Sequence, residues 1–168
     1  ALGGEDAQIN FMMKAYLACI KEDIRQMHVY SLAEQKAEAE ASTEFDLMGL
    51  YQVIKDILPY EQTPTNAGIA YKTTSDQLFG KRYDREYTEA MNIPDHIGGA
   101  AFVDDDGYHT YMLWAKTQED QSEQAYASYS FPDEFDIFEL TVHEWDYSRT
   151  NASVIIEPTY IELSSRPI

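Results

Sequence analysis

Cysteine is all but missing. Cys19 is the single thiol in 168 residues, which excludes an internal disulfide. Compartment stays open, because a secreted protein can do without bridges once its core is large enough. Cys19 lies within an apolar helical pattern and reads as a packed thiol. Positive charge is also scarce, with 12 Lys and Arg against 30 Asp and Glu and a formal net charge of -18. Such a surface repels phosphate backbones and anionic headgroups, and so argues against nucleic acid or a membrane surface as partner. Sugars, cations and neutral ligands remain open. No stretch approaches the roughly 18 apolar residues of a membrane span, and no signal-peptide pattern precedes the first element. The opening "ALGGEDAQ", without an initiator Met, reads as a processed or trimmed segment of something longer.

Several catalytic signatures are lacking as well. No Gly-rich phosphate loop and no nucleophile elbow occurs. His28, His96, His109 and His143 show no metal-ligand spacing, so each reads as a satisfied polar residue, and no metal or cofactor is expected. Asp104, Asp105, Asp106 and Gly107 share a calcium loop's composition but lack its distal bidentate Glu, and a turn accounts for them better. "NAS" at Asn151 matches the glycosylation pattern.

A composition of 44% hydrophobic and 25% charged residues is that of a globular chain able to bury a core. The charge is uneven. Residues 1–86 carry 9 basic and 14 acidic side chains, whereas residues 87–168 set only Lys116, Arg149 and Arg166 against 16 acids. The second half therefore has a solvated acidic shell, a solubility device of secreted or salt-adapted proteins.

The periodicity changes along the chain. Ile9, Met12, Met13, Tyr16, Leu17 and Ile20 follow helical spacing from about Glu5 to about residue 22. The compact run from Met27 to Leu32 predicts a strand over residues 24–32, covered on both faces. "AEQKAEAEASTEFD" reads as a surface excursion. Leu47, Leu50, Tyr51, Ile54 and Leu58 return to helical spacing, weakened by Gly49. Thr63 as N-cap, Pro64 at the first helical position and Gly80 as a stop frame a further helix.

From about Gly98 the period becomes two. "GGAAFV" and "YHTYMLWAKT" flank the turn "DDDG" as a hairpin, and further strands are predicted in "QAYASYSF", "FELTVHEWDY", "ASVIIE" and "TYIELSS". Six short strands predict an antiparallel sandwich with Trp114 and Tyr129 buried. Both faces of "YHTYMLWAKT" carry bulk, so core is the default reading of its aromatics, ahead of a carbohydrate-stacking platform.

The order of these motifs, "IRQMHVYSLAE", "FDLMGLYQ", "NAGIAYKTTSDQLFGKRYD", "IGGAAFVDDDGYHTYMLWAKT", "SYSFP", "VHEWDY" and "IELSSRPI", resembles the C-terminal end of clan-A-like glycoside hydrolases from large secreted bacterial surface proteins. The resemblance covers nearly the whole chain. It implies an α/β segment, the last helix-strand-helix of a (β/α)8 barrel, over residues 1–85, and an all-β antiparallel sandwich over 86–168. It also implies that both catalytic carboxylates precede Ala1, so no catalytic residue is expected in this chain. Tyr30, Ser31 and Glu34, at the end of the barrel strand, become the expected sugar contacts. Polysaccharide becomes the expected ligand, and the remainder of the same polypeptide or another chain the expected partner completing the barrel. Localisation is expected to be extracellular or at the cell surface. A non-catalytic structural or adhesive module on the same fold is the alternative.

Overall fold

Apolar spacing produces the first helix where it is expected. In the computed structural model, which describes residues 4–54, 62–117 and 123–168, α1 runs Glu5–Lys21 and buries Ile9, Met12, Met13 and Leu17. Glu5 and Asp6 in its first turn and Lys21 in its last suit the helix dipole. Asp23, at φ +51°, ends it in the left-handed region, and the Ile24 N–H returns to Cys19 O at 2.8 Å.

The stretch that follows departs from expectation. The strand predicted over residues 24–32 is only β1, Ser31–Ala33, and Ile24, Tyr30 and Leu32 are exposed. The predicted helix from Leu47 is also absent as far as the description extends. A short 3-10 turn at Glu44–Leu47 leads into β2, Gly49–Tyr51, and Leu58 lies outside the described residues. β2 pairs parallel to β1, Ser31 opposite Gly49 and Ala33 opposite Tyr51. On the far side of β2 the Gln52 N–H donates to Thr63 O at 2.8 Å, and Tyr51 bridges Pro64.

The reason for strand over helix is steric. A Cβ at Gly49 would lie 2.1 Å from Glu34 N and 2.3 Å from Ala33 C, so glycine lets the two backbones approach. The next helix, α2 (Asn66–Leu78), begins two residues later than its sequence signals place it. Thr65, not Thr63, caps it, accepting from Gly68 N at 3.1 Å. The same hydroxyl donates to Gly49 O at 2.8 Å, so the cap also ties α2 to β2. Gly80, at φ +74°, follows the helix end, as its sequence position implies.

Beyond α2, β3 (Arg82–Asp84) and the short α3 (Arg85–Ala90) lead to β4 (Ile97–Val103) and β5 (His109–Ala115). β3, β4 and β5 form an antiparallel sheet in that order, and the predicted "DDDG" turn joins its last two strands. The remaining strands also lie where the period-two pattern sets them. They are β6 (Tyr126–Tyr129), β7 (Leu140–His143), β8 (Ser153–Ile156) and β9 (Ile161–Ser164), with α4 (Tyr147–Thr150) between β7 and β8. Their pairing is more fragmented than two full sheets: β6 pairs with β9, and β7 with β8, as two-stranded antiparallel ribbons. Among the described residues the architecture is mixed, with four α-helices, small antiparallel sheets and the parallel β1–β2 pair.

One sheet serves two cores. Ala100, Phe102 and Met112 face the helices and pack with Ile9, Met13, Leu17, Ala70 and Leu78. Ala101, Leu113 and Ala115 face the ribbons and pack with Tyr129, Phe131, Ile161 and Leu163. This alternation is the two-sided bulk visible in the sequence. Tyr129 is buried, its hydroxyl donating to Met91 O at 2.7 Å, whereas Trp114 is only half-buried, lying over Gly98 with the Lys14 ammonium 5.7 Å from its ring. β3, within residues 1–85, is hydrogen-bonded to β4, so the sheet itself crosses the 85/86 boundary.

Candidate functional site

The residues singled out from sequence gather around β1, but not in the arrangement expected of a barrel-strand terminus. Because the strand spans only Ser31–Ala33, Tyr30 precedes it, Ser31 opens it, and Glu34 alone follows its C-terminal end. The Ser31 hydroxyl is turned back on its own strand, donating to Ala33 O at 2.5 Å. Glu34 is anchored through its backbone, its N–H donating to Tyr51 O at 2.8 Å. The Glu34 side chain is half-buried, and burial first, then the nearby Glu38 charge, raises its carboxyl above the ordinary value. Among the described residues no hydrogen bond joins the side chains of Tyr30, Ser31 and Glu34 to one another.

What the fold does bring together is Tyr30 with Phe45. Their rings lie 6.0 Å apart at 56°, and both are largely exposed, at 64% and 54%. An exposed aromatic pair offers apolar faces with a polar tip at Tyr30. Phe45 was not legible as a partner, because it stands in a polar stretch with no periodic signal, fifteen residues from Tyr30.

Asp46, next in sequence to Phe45, ties down the loop that carries it. It is buried, and its Oδ2 accepts from Ser42 N at 2.9 Å, Thr43 N at 3.1 Å, Ser42 Oγ at 3.1 Å and Lys36 Nζ at 3.1 Å. Its carbonyl accepts from Gln35 N at 2.8 Å. The loop after β1 is thereby closed on one carboxylate, directly beside Phe45.

Comparison with family models, with curated proteins and with solved structures found no match to this chain. The chemistry of the site therefore rests on its own geometry. Among the described residues no group of three or more His, Cys, Asp or Glu is placed to hold a metal ion. No helix is long and apolar enough to cross a membrane, again among the described residues. Around β1 the fold therefore presents an exposed aromatic pair and a half-buried Glu34 carboxyl.

The Asp46 network predicts a pH response. The Ser42 backbone N–H foremost, and then the Lys36 ammonium, hold the Asp46 carboxyl well below its ordinary value of 3.8. A carboxyl depressed in the folded state stabilises it fully above the unfolded value and loses that contribution only as pH falls through the lower, folded one. The Ser42 and Thr43 amide resonances are therefore expected to stay in place as pH falls through the ordinary carboxyl value of 3.8 and to shift only in stronger acid. A titration midpoint for either amide at or above 3.8 would show that the carboxylate does not hold the loop.

Proposed function

We propose that this chain is the C-terminal part of a secreted glycoside-hydrolase-like protein. In this reading α1, β1 and α2 belong to the closing end of a barrel, the strands from β4 onward form a sandwich that braces it, and the Tyr30–Phe45 edge faces polysaccharide. The observation that carries the reading is the pairing of β1 with β2, the one parallel pair among the described residues. Parallel sheets are ordinarily buried on both faces within larger sheets, yet this one has two strands of three residues, and Leu32 at its outer strand is 65% exposed. Helices α1 and α2 lie on the chain either side of it and pack against each other, as the last helices of a barrel do. A longer parallel sheet alongside β1, from the remainder of the same polypeptide or from another chain, would cover Leu32 and leave Tyr30, Phe45 and Glu34 at its rim.

Affinity electrophoresis in gels containing soluble neutral polysaccharides tests the reading. Retardation by at least one polysaccharide is expected, without turnover of that polysaccharide or of aryl glycosides, because the catalytic carboxylate pair lies outside this chain on this reading. Tyr30→Ala is expected to weaken the binding up to about tenfold, the upper end of an aromatic contact. Equal retardation of the variant, or migration unaffected by every polysaccharide tried, would remove the sugar reading.

A further inference from the structure

A cleft of about 390 Å³ lies between α2, β5 and the β7–β8 ribbon. Its walls are mostly apolar: Met13 and Leu78 on the helix side, Met112 and Leu113 from β5, Leu140 and Val142 from β7. A cleft of this size and lining suits a small molecule. Tyr30 and Phe45 do not line it, so occupancy here is independent of sugar binding at their edge.

One end of the cleft is polar and cationic. Thr110 and His143 line it from β5 and β7, and the half-buried Lys81 ammonium donates to the Thr110 hydroxyl. His143 feels the same ammonium: burial first, and then the Lys81 charge, hold its imidazole below the ordinary value of 6.5. At neutral pH that ring is therefore uncharged, and Lys81 supplies the charge at this end. Lys36, Lys72, Arg82, Arg149 and Arg166 each pair with an acid, whereas no salt bridge engages Lys81 among the described residues. The nearby Asp84 carboxylate is already taken by the Tyr87 N–H at 2.9 Å and the His109 ring at 3.1 Å. Glu139, the acid on the lining, is exposed and lies four residues from His143 along β7, about 13 Å of strand.

The polar end is built before any ligand arrives. The His143 ring stacks on Tyr147, with centroids 3.9 Å apart at 11°. Ser148 fastens the helix after β7 to α2, its N–H donating to Thr73 Oγ1 at 3.0 Å and its hydroxyl to Ile69 O at 3.2 Å. Groups already held in place cost little to order on binding.

We propose that this cleft binds an amphipathic monocarboxylate, its carboxylate on the Lys81 ammonium and the Thr110 hydroxyl and its aliphatic chain along Met112, Leu140 and Val142. Thr110 Oγ1 accepts from Lys81, which leaves the hydroxyl hydrogen to donate to the ligand. A single ammonium balances a single negative charge. A dianion such as phosphate would bring a second charge into the field of a chain whose net charge is -18. The remaining walls ask for methylenes, because hydroxyls against Met112, Leu140 and Val142 would lose water without gaining a partner.

The test is an amide chemical-shift titration of the protein with octanoate, hexanoate and octan-1-ol. Octanoate is expected to shift Thr110, Met112, Val142 and His143 and to saturate below about 1 mM. Hexanoate should bind roughly tenfold more weakly for want of two methylenes, and octan-1-ol at least about tenfold more weakly for want of the charge. Equal affinity for octanoate and octan-1-ol overturns the proposal, as do shifts confined to exposed aromatics such as Tyr126 and Phe138. Lys81→Met is expected to bring octanoate down to the affinity of octan-1-ol. Lys81→Arg, which keeps the charge, should stay within about threefold of the parent. Equal loss in both variants, or no loss in Lys81→Met, overturns the assignment of the carboxylate to Lys81.

Discussion

Phe102→Ala is expected to destabilise the protein by about 3–5 kcal/mol, the range for deleting a fully buried aromatic ring. Phe102 has no exposed surface and stands on β4 against Tyr83, with ring centroids 6.2 Å apart, inside the cluster shared with α1 and α2. For a chain of this length that loss corresponds to a fall in melting temperature on the order of 10 °C. Its neighbour Ala101 faces the ribbons, so the same strand carries both cores. Unfolding followed by Trp fluorescence and by far-ultraviolet dichroism should therefore move as one transition in the variant. Two separated transitions, with only one displaced, would mean that the helices and ribbons are independent units and that β4 does not couple them.

Gly68→Ala carries the second large effect, although it adds a single methyl group to a helix. Alanine ordinarily favours a helix over glycine by roughly 1 kcal/mol, so propensity alone predicts stabilisation. The tertiary setting reverses the sign. A Cβ at Gly68 would stand 2.0 Å from Leu50 O and 2.9 Å from Leu50 C. The atoms in the way are backbone, so no side-chain rotation relieves the clash, and α2 must move off β2. That movement also opens the Thr65 bridge to Gly49 O. A loss of about 3 kcal/mol is expected, at the upper end for overpacking. Gly4→Ala is the steric control, since nothing lies within 4 Å of its position; as the N-cap of α1 it is expected to cost only about 0.5–1 kcal/mol through the cap, far less than Gly68→Ala. A Gly68→Ala protein as stable as the parent would show that α2 does not rest on β2.

The candidate site was legible only in outline. Tyr30, Ser31 and Glu34 were expected there because the barrel resemblance puts them at the end of a strand, and all three do sit in or beside β1. Their relation to the strand was shifted, because residues 24–30 carry apolar side chains without the neighbouring strand that would make them regular. Phe45 and Asp46 gave no signal. Each acts through groups that only the folded loop presents: Tyr30's ring for one, the Ser42 and Thr43 amides and the Lys36 ammonium for the other.

Local pattern by itself determined α1, the approximate extent of α2, the β4–β5 hairpin around Asp104–Gly107, and the positions of the four later strands. In each, hydrophobic period and a turn or cap residue agree within a dozen neighbouring positions, and such agreement suffices to select helix or strand. Tertiary structure alone decided which strands pair. It set β6 against β9, β7 against β8, and Ile168 against Leu113, because backbone hydrogen bonds carry no residue signature and partners are chosen by burial across long separations. It also decided that the stretch at Gly49 is strand rather than helix. Leucine and tyrosine there satisfy either period, and what selects between them is the close approach of the Ala33 and Glu34 backbone to Gly49, which the helical spacing of Leu47 and Leu50 could not reveal.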